Sequence, residues 1–487
     1  MNTQQQALLV ALFFGILGAL SIIAASPLFA PLDLDSHSYL NFAPSRTAIY
    51  PLFLSLFSGL SYQIEIILIL QAALYSLSLG YLIYILHLTM RSWFITVLFG
   101  LGVAGNMYLQ AFNSVILTES LTFTLMHILI AFVLKALYQP EAKPYRATIF
   151  IGVIGGLLAA LKPAMITMLP ALMIIIGLIA YQHRQRMGRH LGIYGLAFLA
   201  PLLGESMAYY QTHEARVSLL PVTLFGKAAI LTTAPQFQIP SSLSVDEAAI
   251  LHATDNLLDP YQSWLEKETN PLVRSNIRGN IEVFGQWETL PLVEEREGLP
   301  RPSDDMLAAI GRAVIVEHKM AYIRLSLSYL SELWAVQSLA FSHKIFGSIL
   351  PIFEDAPLNN ALPTFTAKGG PLDPESGHFA NWLSVIIFPA FALLGLISLI
   401  GGLVSVSVIL AGGSRGSGGS KRPLTDMVML AALHIIGWSN LIFIALVNIP
   451  TPRYLMPHFA GFVLAALIGV TLLMRVLKTH TDDKAQN

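Results

Sequence analysis

Two carboxylates and an arginine lie close together in a polar segment near the N-terminus. Asp33, Asp35 and Arg46 fall between an apolar stretch that ends near residue 30 and another that begins near residue 65. A carboxylate at the mouth of a helical bundle can accept a proton from a hydroxyl, a general-base contribution of roughly 10²–10⁴-fold. Asp35 is the predicted base, with Asp33 second. The alternative is that both carboxylates only solvate the loop or cap the helix that follows.

Three more charged residues stand at predicted helix ends on the same side. Glu119 opens an apolar stretch, where it could orient an acceptor or an optional divalent cation, or simply complement its helix dipole by about 0.3–1 kcal/mol. Lys162 and Arg453 could hold a phosphate, Arg with paired hydrogen bonds and Lys as a point charge. Either side chain could instead extend to lipid headgroups, equally well for Lys162, whereas phosphate binding is favoured for Arg453. Arg46 could pair with a nearby carboxylate as simply as meet a phosphate.

The histidines do not predict a metal site. His37, His318 and His378 are widely separated, and no His-x-x-x-His pattern occurs in the chain. His318 is kept as an accessory candidate because it lies near an amphipathic stretch, although a solvated helix face is the simpler interpretation.

The elements that must position these residues are membrane helices. The chain has 487 residues, of which 55% are hydrophobic and 12% charged, whereas a soluble domain is about 25% charged. Several apolar runs reach the roughly 20 residues that cross a bilayer as a helix, and they do not alternate as barrel strands do. The predicted fold is an all-α polytopic membrane protein with about ten transmembrane helices. Predicted spans lie near residues 7–30, 65–88, 92–105, 118–138, 147–161, 164–181, 191–210, 382–410, 427–448 and 454–474.

Short basic segments all fall on one side of the membrane when the N-terminus starts in the cytoplasm. They lie at Arg91 and at 135–146, 184–189, 415–422 and 475–484. Because cytoplasmic loops carry an excess of Lys and Arg, both termini are predicted to be cytoplasmic.

The remaining connections then face outward, and they define three predicted regions. Residues 1–210 form an N-terminal transmembrane module whose first outer loop, 31–62, is acidic. Residues 211–381, between spans seven and eight, form an extracytoplasmic loop domain, and 382–487 form a C-terminal transmembrane module. An amphipathic stretch at 320–346 is predicted to lie in the membrane interface rather than to cross it.

Composition also excludes several classes. The net charge of −1 and the absence of a long basic run give no reason to expect a nucleic-acid partner. Without cysteine, the chain has no disulfide, thiolate metal ligand or Cys nucleophile. The first apolar stretch lacks a preceding cationic segment, so it is predicted to be an uncleaved span.

Four short motifs carry a family resemblance. In chain order they read Asp35-Ser-His-Ser-Tyr39, Arg46-Thr-Ala-Ile-Tyr50-Pro51-Leu-Phe-Leu, Leu117-Thr-Glu119-Ser-Leu and Pro452-Arg453-Tyr454. Together they resemble the GT-C superfamily of polyprenyl-phosphate-sugar-dependent glycosyltransferases, which includes lipid A aminoarabinose transferases and protein O-mannosyltransferases.

The resemblance implies an inverting transfer of a sugar from a polyprenyl-phosphate carrier to a glycolipid, polysaccharide or protein of the cell envelope. The reaction would run at the outer face of a bacterial inner membrane. No nucleotide cofactor is expected, because the lipid phosphate is itself the leaving group, and a divalent cation such as Mg or Mn is optional. The implied residues are Asp35 as base, Glu119 in the pocket, Arg453, Lys162 and Arg46 at the donor phosphate, and Asp33, Tyr39, Tyr454 and His318 as accessory residues.

Two other classes remain open. A transporter or flippase for lipid-linked saccharides would also need outer-face cations and a lipid groove, but such proteins often show repeated halves and interrupted helices. This chain shows no internal repeat and concentrates its charges in the outer loops. A polymerase or ligase of surface polysaccharide would keep the large outer loop without needing the acidic first loop.

Overall fold

A computed structural model gives the fold and describes residues 2–25, 35–139, 144–234, 236–267, 278, 281–282, 285, 289–335, 422–447 and 454–486. Every regular element in these ranges is helical, which confirms the all-α prediction. The described residues divide into two compact units. The first holds those up to Ala215 together with 422–440 and 455–486, and the second holds those in 216–335 and 441–447 with Tyr454.

The N-terminal part of the first unit is built from long apolar helices joined by short ones. A short 3₁₀ helix, Pro163–Met168, follows Lys162 and leads into α9. The α-helices are α1 Thr3–Ala25, α2 Ser36–Leu40, α3 Ile49–Ser55, α4 Gln63–Met90, α5 Trp93–Ala104, α6 Met107–Asn113, α7 Thr118–Tyr138, α8 Pro144–Leu161, α9 Leu169–Gln182 and α10 Met187–Tyr210.

The second unit contains five further helices in its described residues before residue 336: α11 Leu220–Thr232, α12 Val245–Lys267, α13 Thr289–Glu297, α14 Asp304–Glu317 and α15 Lys319–Ala335. They enclose an apolar core that includes Phe225, Ile250 and Ile310. A buried ion pair also lies inside this unit. Lys227 Nζ lies 3.1 Å from Glu282 Oε2, and the Tyr329 hydroxyl donates to the same oxygen at 2.7 Å.

Two C-terminal helices follow, α16 Arg422–Val447 and α17 Met456–Gln486. In the first unit, α16 begins beside the end of α7, because the Tyr138 hydroxyl donates to Asp426 Oδ1 at 2.6 Å. At the same end, Thr148 Oγ1 near the start of α8 lies 2.7 Å from His190 Nδ1 near the start of α10.

Six helices are long and apolar enough to cross a membrane, among the residues that the structure describes. They coincide with six of the predicted spans and make the chain a membrane protein. The helices are Thr3–Ala24, Gln63–Met90, Thr118–Tyr138, Pro163–Tyr181, Met187–Tyr210 and Thr425–Val447.

The other four predicted spans do not coincide with a described helix that is long and apolar enough to cross a membrane. Those at 92–105, 147–161 and 454–474 coincide with shorter apolar helical segments, Trp93–Ala104, Tyr145–Leu161 and Met456–Leu472. With 12 residues, α5 is about 18 Å long, well below a hydrocarbon core of about 30 Å. The span at 382–410 lies outside the described residues, so the count of ten stays a prediction.

Two glycines let α8 and α10 approach closely. A Cβ on Gly152 would lie 2.7 Å from Ala197 Cβ and 3.0 Å from the Tyr194 carbonyl oxygen. A Cβ on Gly156, one turn later, would collide with the carbonyl oxygen of Phe198. Small residues are common at such interfaces because they let helix backbones come together in the membrane.

Gly156→Ala is therefore expected to destabilise the first unit by about 1–3 kcal/mol, the usual cost of overpacking. The obstacle is backbone, which cannot rotate away as a side chain can. Thermal unfolding of the purified protein in detergent measures the loss. Gly204→Ala on α10 is the matched control, because nothing lies within 4 Å of its added Cβ. Equal melting temperatures for the two variants would contradict the close approach.

Candidate active site

The loop that runs from Asp35 to the start of α4 is tied to two other helix ends of the first unit. The Ser36 hydroxyl donates to the Ile116 carbonyl at 2.9 Å, just before α7. The Thr47 hydroxyl donates to the Leu161 carbonyl at 3.1 Å, at the end of α8. These bonds gather residues that are up to 114 positions apart in the chain at one end of the helices.

Asp35 and Arg46 form an ion pair in this loop. Arg46 Nη2 lies 2.6 Å from Asp35 Oδ1, and Arg46 Nε donates to Ser38 Oγ at 2.8 Å. The guanidinium carbon also lies 4.5 Å from the centre of the Tyr39 ring. Contacts on several sides hold the guanidinium in one orientation, and with it the carboxylate of Asp35.

Asp35 stands at the N-cap of α2, yet its side chain makes no capping hydrogen bond. The carboxylate turns to Arg46 instead of to the helix, so the capping alternative does not describe it. Its side chain is 25% exposed. An oxygen that is fixed by a cation and still reachable from outside is suitably placed to accept a proton from a bound hydroxyl.

Glu119 and Lys162 form a second and more deeply buried pair. Lys162 Nζ donates to Glu119 Oε1 at 3.0 Å, and the two side chains are 11% and 3% exposed, respectively. Thr118 Oγ1 donates to Glu119 Oε2 at 3.3 Å. Lys162 is therefore directed toward a carboxylate inside the protein rather than toward lipid headgroups.

The two ion pairs belong to one cluster. Asp35 is adjacent to Ser36, which is bonded to the segment that leads into Glu119. Arg46 is adjacent to Thr47, which is bonded to the residue before Lys162. Asp35 and Arg46 are thus each adjacent to a residue that is hydrogen-bonded to the segment carrying Glu119 or Lys162.

Tyr50 interacts with residues of both parts of the cluster. Its ring packs edge-on against Tyr39 with 5.2 Å between centroids, and its hydroxyl donates to Gln71 Oε1 at 2.8 Å. Burial raises the pKa of the Tyr50 hydroxyl well above its usual value, and the negative charge of nearby Glu119 adds to the rise. Tyr50 therefore remains a neutral hydrogen-bond donor, a supporting role that the motif alone did not assign.

The turn after Lys162 is held by the C-terminal helices. The Asn440 side-chain amide on α16 donates to the Ala164 carbonyl at 2.7 Å, and His458 Nε2 on α17 lies 2.9 Å from Asn440 Oδ1. Neither residue was predicted. A polar residue inside an apolar span was the available signal, because such residues usually hydrogen-bond across helices, but one sequence does not reveal the partner.

A further unpredicted residue is Glu205 on α10. It is 6% exposed, and its Oε1 accepts a hydrogen bond from the Ala48 backbone N–H at 2.9 Å. An acidic residue within a predicted span is rare enough to indicate a function or a specific partner, so the signal was present in the sequence.

The remaining predicted residues are not part of this cluster as described. Asp33 and Arg453 lie outside the described residues. His318 belongs to the second unit, where its Nε2 lies 2.7 Å from the Gln238 carbonyl oxygen and its ring packs against Phe237. Tyr454 is partly buried and is also assigned to the second unit.

No three His, Cys, Asp or Glu side chains come together as metal ligands in the part of the chain that the structure describes. The cluster contains two ion pairs, each made of one carboxylate and one cation. The Asp35–Arg46 pair is partly exposed, and the Glu119–Lys162 pair is buried. Such a set can accept a proton and stabilise a developing anion.

Comparisons with family models, curated proteins and solved structures gave no match for this chain.

Proposed function

We propose that the chain is an inverting glycosyltransferase that moves a sugar from a polyprenyl-phosphate carrier to an acceptor hydroxyl. The observation that carries the proposal is the Asp35 carboxylate, which is oriented by Arg46 and one quarter exposed. It lies at one end of a set of apolar helices, where a lipid-linked donor and an acceptor can meet. The four motifs that resemble the GT-C superfamily include both partners of this ion pair.

The proposed step forms one bond and breaks another. The acceptor oxygen attacks the anomeric carbon from the side opposite the phosphate, while its proton passes to Asp35. The bond between the anomeric carbon and the phosphate oxygen breaks, and its electron pair leaves with the polyprenyl phosphate. The configuration at the anomeric carbon is inverted, and no other reactant is consumed.

Arg46 can serve both sides of this step. A guanidinium carries five N–H donors in a rigid fork and binds carboxylates and phosphates well. Three Arg46 nitrogens contact Ser38, Tyr39 and Asp35. Arg46 would hold the base and stabilise the charge that develops on the departing phosphate. Lys162 adds a positive charge deeper in the pocket, and Arg453 is a further predicted phosphate ligand.

We place this site on the outer side of the bacterial inner membrane. The supporting observation is the distribution of Lys and Arg among the connections. Arg91, Lys135 and residues 184–189 belong to the opposite helix ends from Asp35, and cytoplasmic connections are the basic ones. The proposal keeps about ten spans and an extracytoplasmic domain over 211–381 that selects the acceptor.

Deleting the gene in the source organism tests the class of function. The masses of envelope glycans and glycolipids are compared between parent, deletion strain and complemented strain. The proposal expects one defined sugar increment to disappear while the underlying acceptor persists. Loss of whole chains together would instead indicate export or polymer assembly, and unchanged masses would contradict any role in envelope glycans.

A further inference from the structure

The last turns of α10 hold the loop that carries Arg46 on both of its sides. Glu205 Oε1 accepts the Ala48 N–H at 2.9 Å, two residues after Arg46. Tyr209, one turn further along α10, donates from its hydroxyl to the Pro44 carbonyl at 2.7 Å, two residues before Arg46. Glu205 and Tyr209 are 6% and 0% exposed, so both contacts are buried at the α10 end.

An unusual backbone conformation adds to this attachment. Phe42 has a φ of 45°, in the left-handed region that bulky residues rarely adopt. Its ring packs edge-on against Tyr209 with 5.9 Å between centroids, and against His213 with 4.6 Å. The chain reversal between α2 and Arg46 is thus fixed by the same end of α10. Residues held in sparsely populated conformations persist only where their surroundings determine them.

The two hydrogen bonds from α10 to this loop reach backbone groups. Glu205 meets an amide and Tyr209 meets a carbonyl, and both lie next to the short segment 45–47. The backbone on either side of Arg46 is held by α10 through these two hydrogen bonds. The guanidinium at the end of the Arg46 side chain is held by Ser38, Tyr39 and Asp35. The position of Asp35 therefore depends on α10 through Arg46.

We propose that Glu205 is a positioning residue for the transfer, acting through the Arg46 loop and not on substrate. This inference rests on the proposed function for its effect on activity, but not for its effect on the loop. What Glu205 supplies is a buried acceptor for the Ala48 N–H. Gln offers a carbonyl oxygen of nearly the same reach, whereas Ala leaves that N–H without this acceptor.

A single cysteine measures the loop directly, because the chain has none of its own. Ser45→Cys is introduced between Pro44 and Arg46, and the purified full chain in nanodiscs is labelled with a maleimide. Adding Glu205→Ala is expected to raise the labelling rate roughly two- to tenfold, the change that one net hydrogen bond gives in a local opening equilibrium. Glu205→Gln is expected to leave the rate within about twofold of the parent.

Activity is measured on the same Glu205 variants without the cysteine. Glu205→Ala is expected to lower the transfer rate roughly 10- to 100-fold through misplacement of the reacting groups, and Glu205→Gln to restore most of it. Met207→Ala is the control on the same helix, because Met207 is 69% exposed and is expected to change neither readout.

The two readouts separate this inference from the proposed function. Faster labelling with Ala but not Gln supports the attachment even if no sugar transfer is ever found. Faster labelling together with lost transfer, rescued by Gln, supports the positioning role. Unchanged labelling in Glu205→Ala overturns the attachment, and equal loss of transfer in the Ala and Gln variants overturns the role assigned to the acceptor oxygen.

Discussion

Asp35→Asn is expected to lower the rate of sugar transfer by roughly 10²–10⁴-fold, the range of a general-base contribution. Asn keeps a side-chain oxygen that can accept a hydrogen bond from Arg46, so the contact between the two side chains is largely preserved. The carboxylate that would accept the proton is removed. The measurement is the initial rate of transfer to acceptor by purified protein in nanodiscs. Donor binding should change much less, because the phosphate contacts remain.

Glu65→Gln is the matched control for this change. Glu65 lies in the first turn of α4, which follows the same loop, and its side chain is exposed. Removing one negative charge there is expected to change the transfer rate by less than about twofold, since exposed charges contribute little. Asp35→Asn protein that folds normally and retains parental activity would show that another group accepts the proton.

Lys162→Met is expected to destabilise the first unit by about 3–5 kcal/mol, the cost of leaving one partner of a buried ion pair without the other. Glu119 is the partner, and its side chain is only 3% exposed. The double variant Glu119→Gln/Lys162→Met removes both charges and is expected to recover most of that loss. Thermal unfolding in detergent measures the stability of parent, single and double variants.

Transfer by the double variant then separates structure from function. If Lys162 contributes charge to the donor site, the double variant folds but transfers sugar at least about tenfold more slowly, with a raised KM for the donor. Recovery of both stability and transfer would mean that the pair only stabilises the fold. A stable Lys162→Met protein would contradict the buried ion pair itself.

The membrane helices could be predicted because their signal is local. A run of about 20 apolar residues is sufficient to cross a bilayer, and this criterion found the six long helices, including those at 118–138 and 187–210. This criterion cannot decide whether a short apolar run such as α5 crosses the membrane. The position of a 12-residue helix depends on the helices packed against it and not on its own length.

The site could be predicted in its residue types but not in its pairings. Asp35 and Arg46 were close enough in the chain for an ion pair to be one of the stated alternatives. Glu119 and Lys162 are 43 positions apart, and nothing in either local segment identifies the other as a partner. Glu205 stands out as an acidic residue in a predicted span, but its partner could not be predicted, because that partner is a backbone amide 157 positions away.

The proposed function requires this chain to break the bond between a polyprenyl phosphate and its sugar. The most direct measurement incubates the purified full chain in nanodiscs with polyprenyl-phosphate-linked sugars and with acceptor extracted from the deletion strain, and follows free polyprenyl phosphate and acceptor mass together. The prediction is one polyprenyl phosphate released for each sugar gained by the acceptor, with both signals lost in Asp35→Asn. Intact donor and unchanged acceptor, with the complete extracted acceptor pool present, would contradict the proposed glycosyltransferase function.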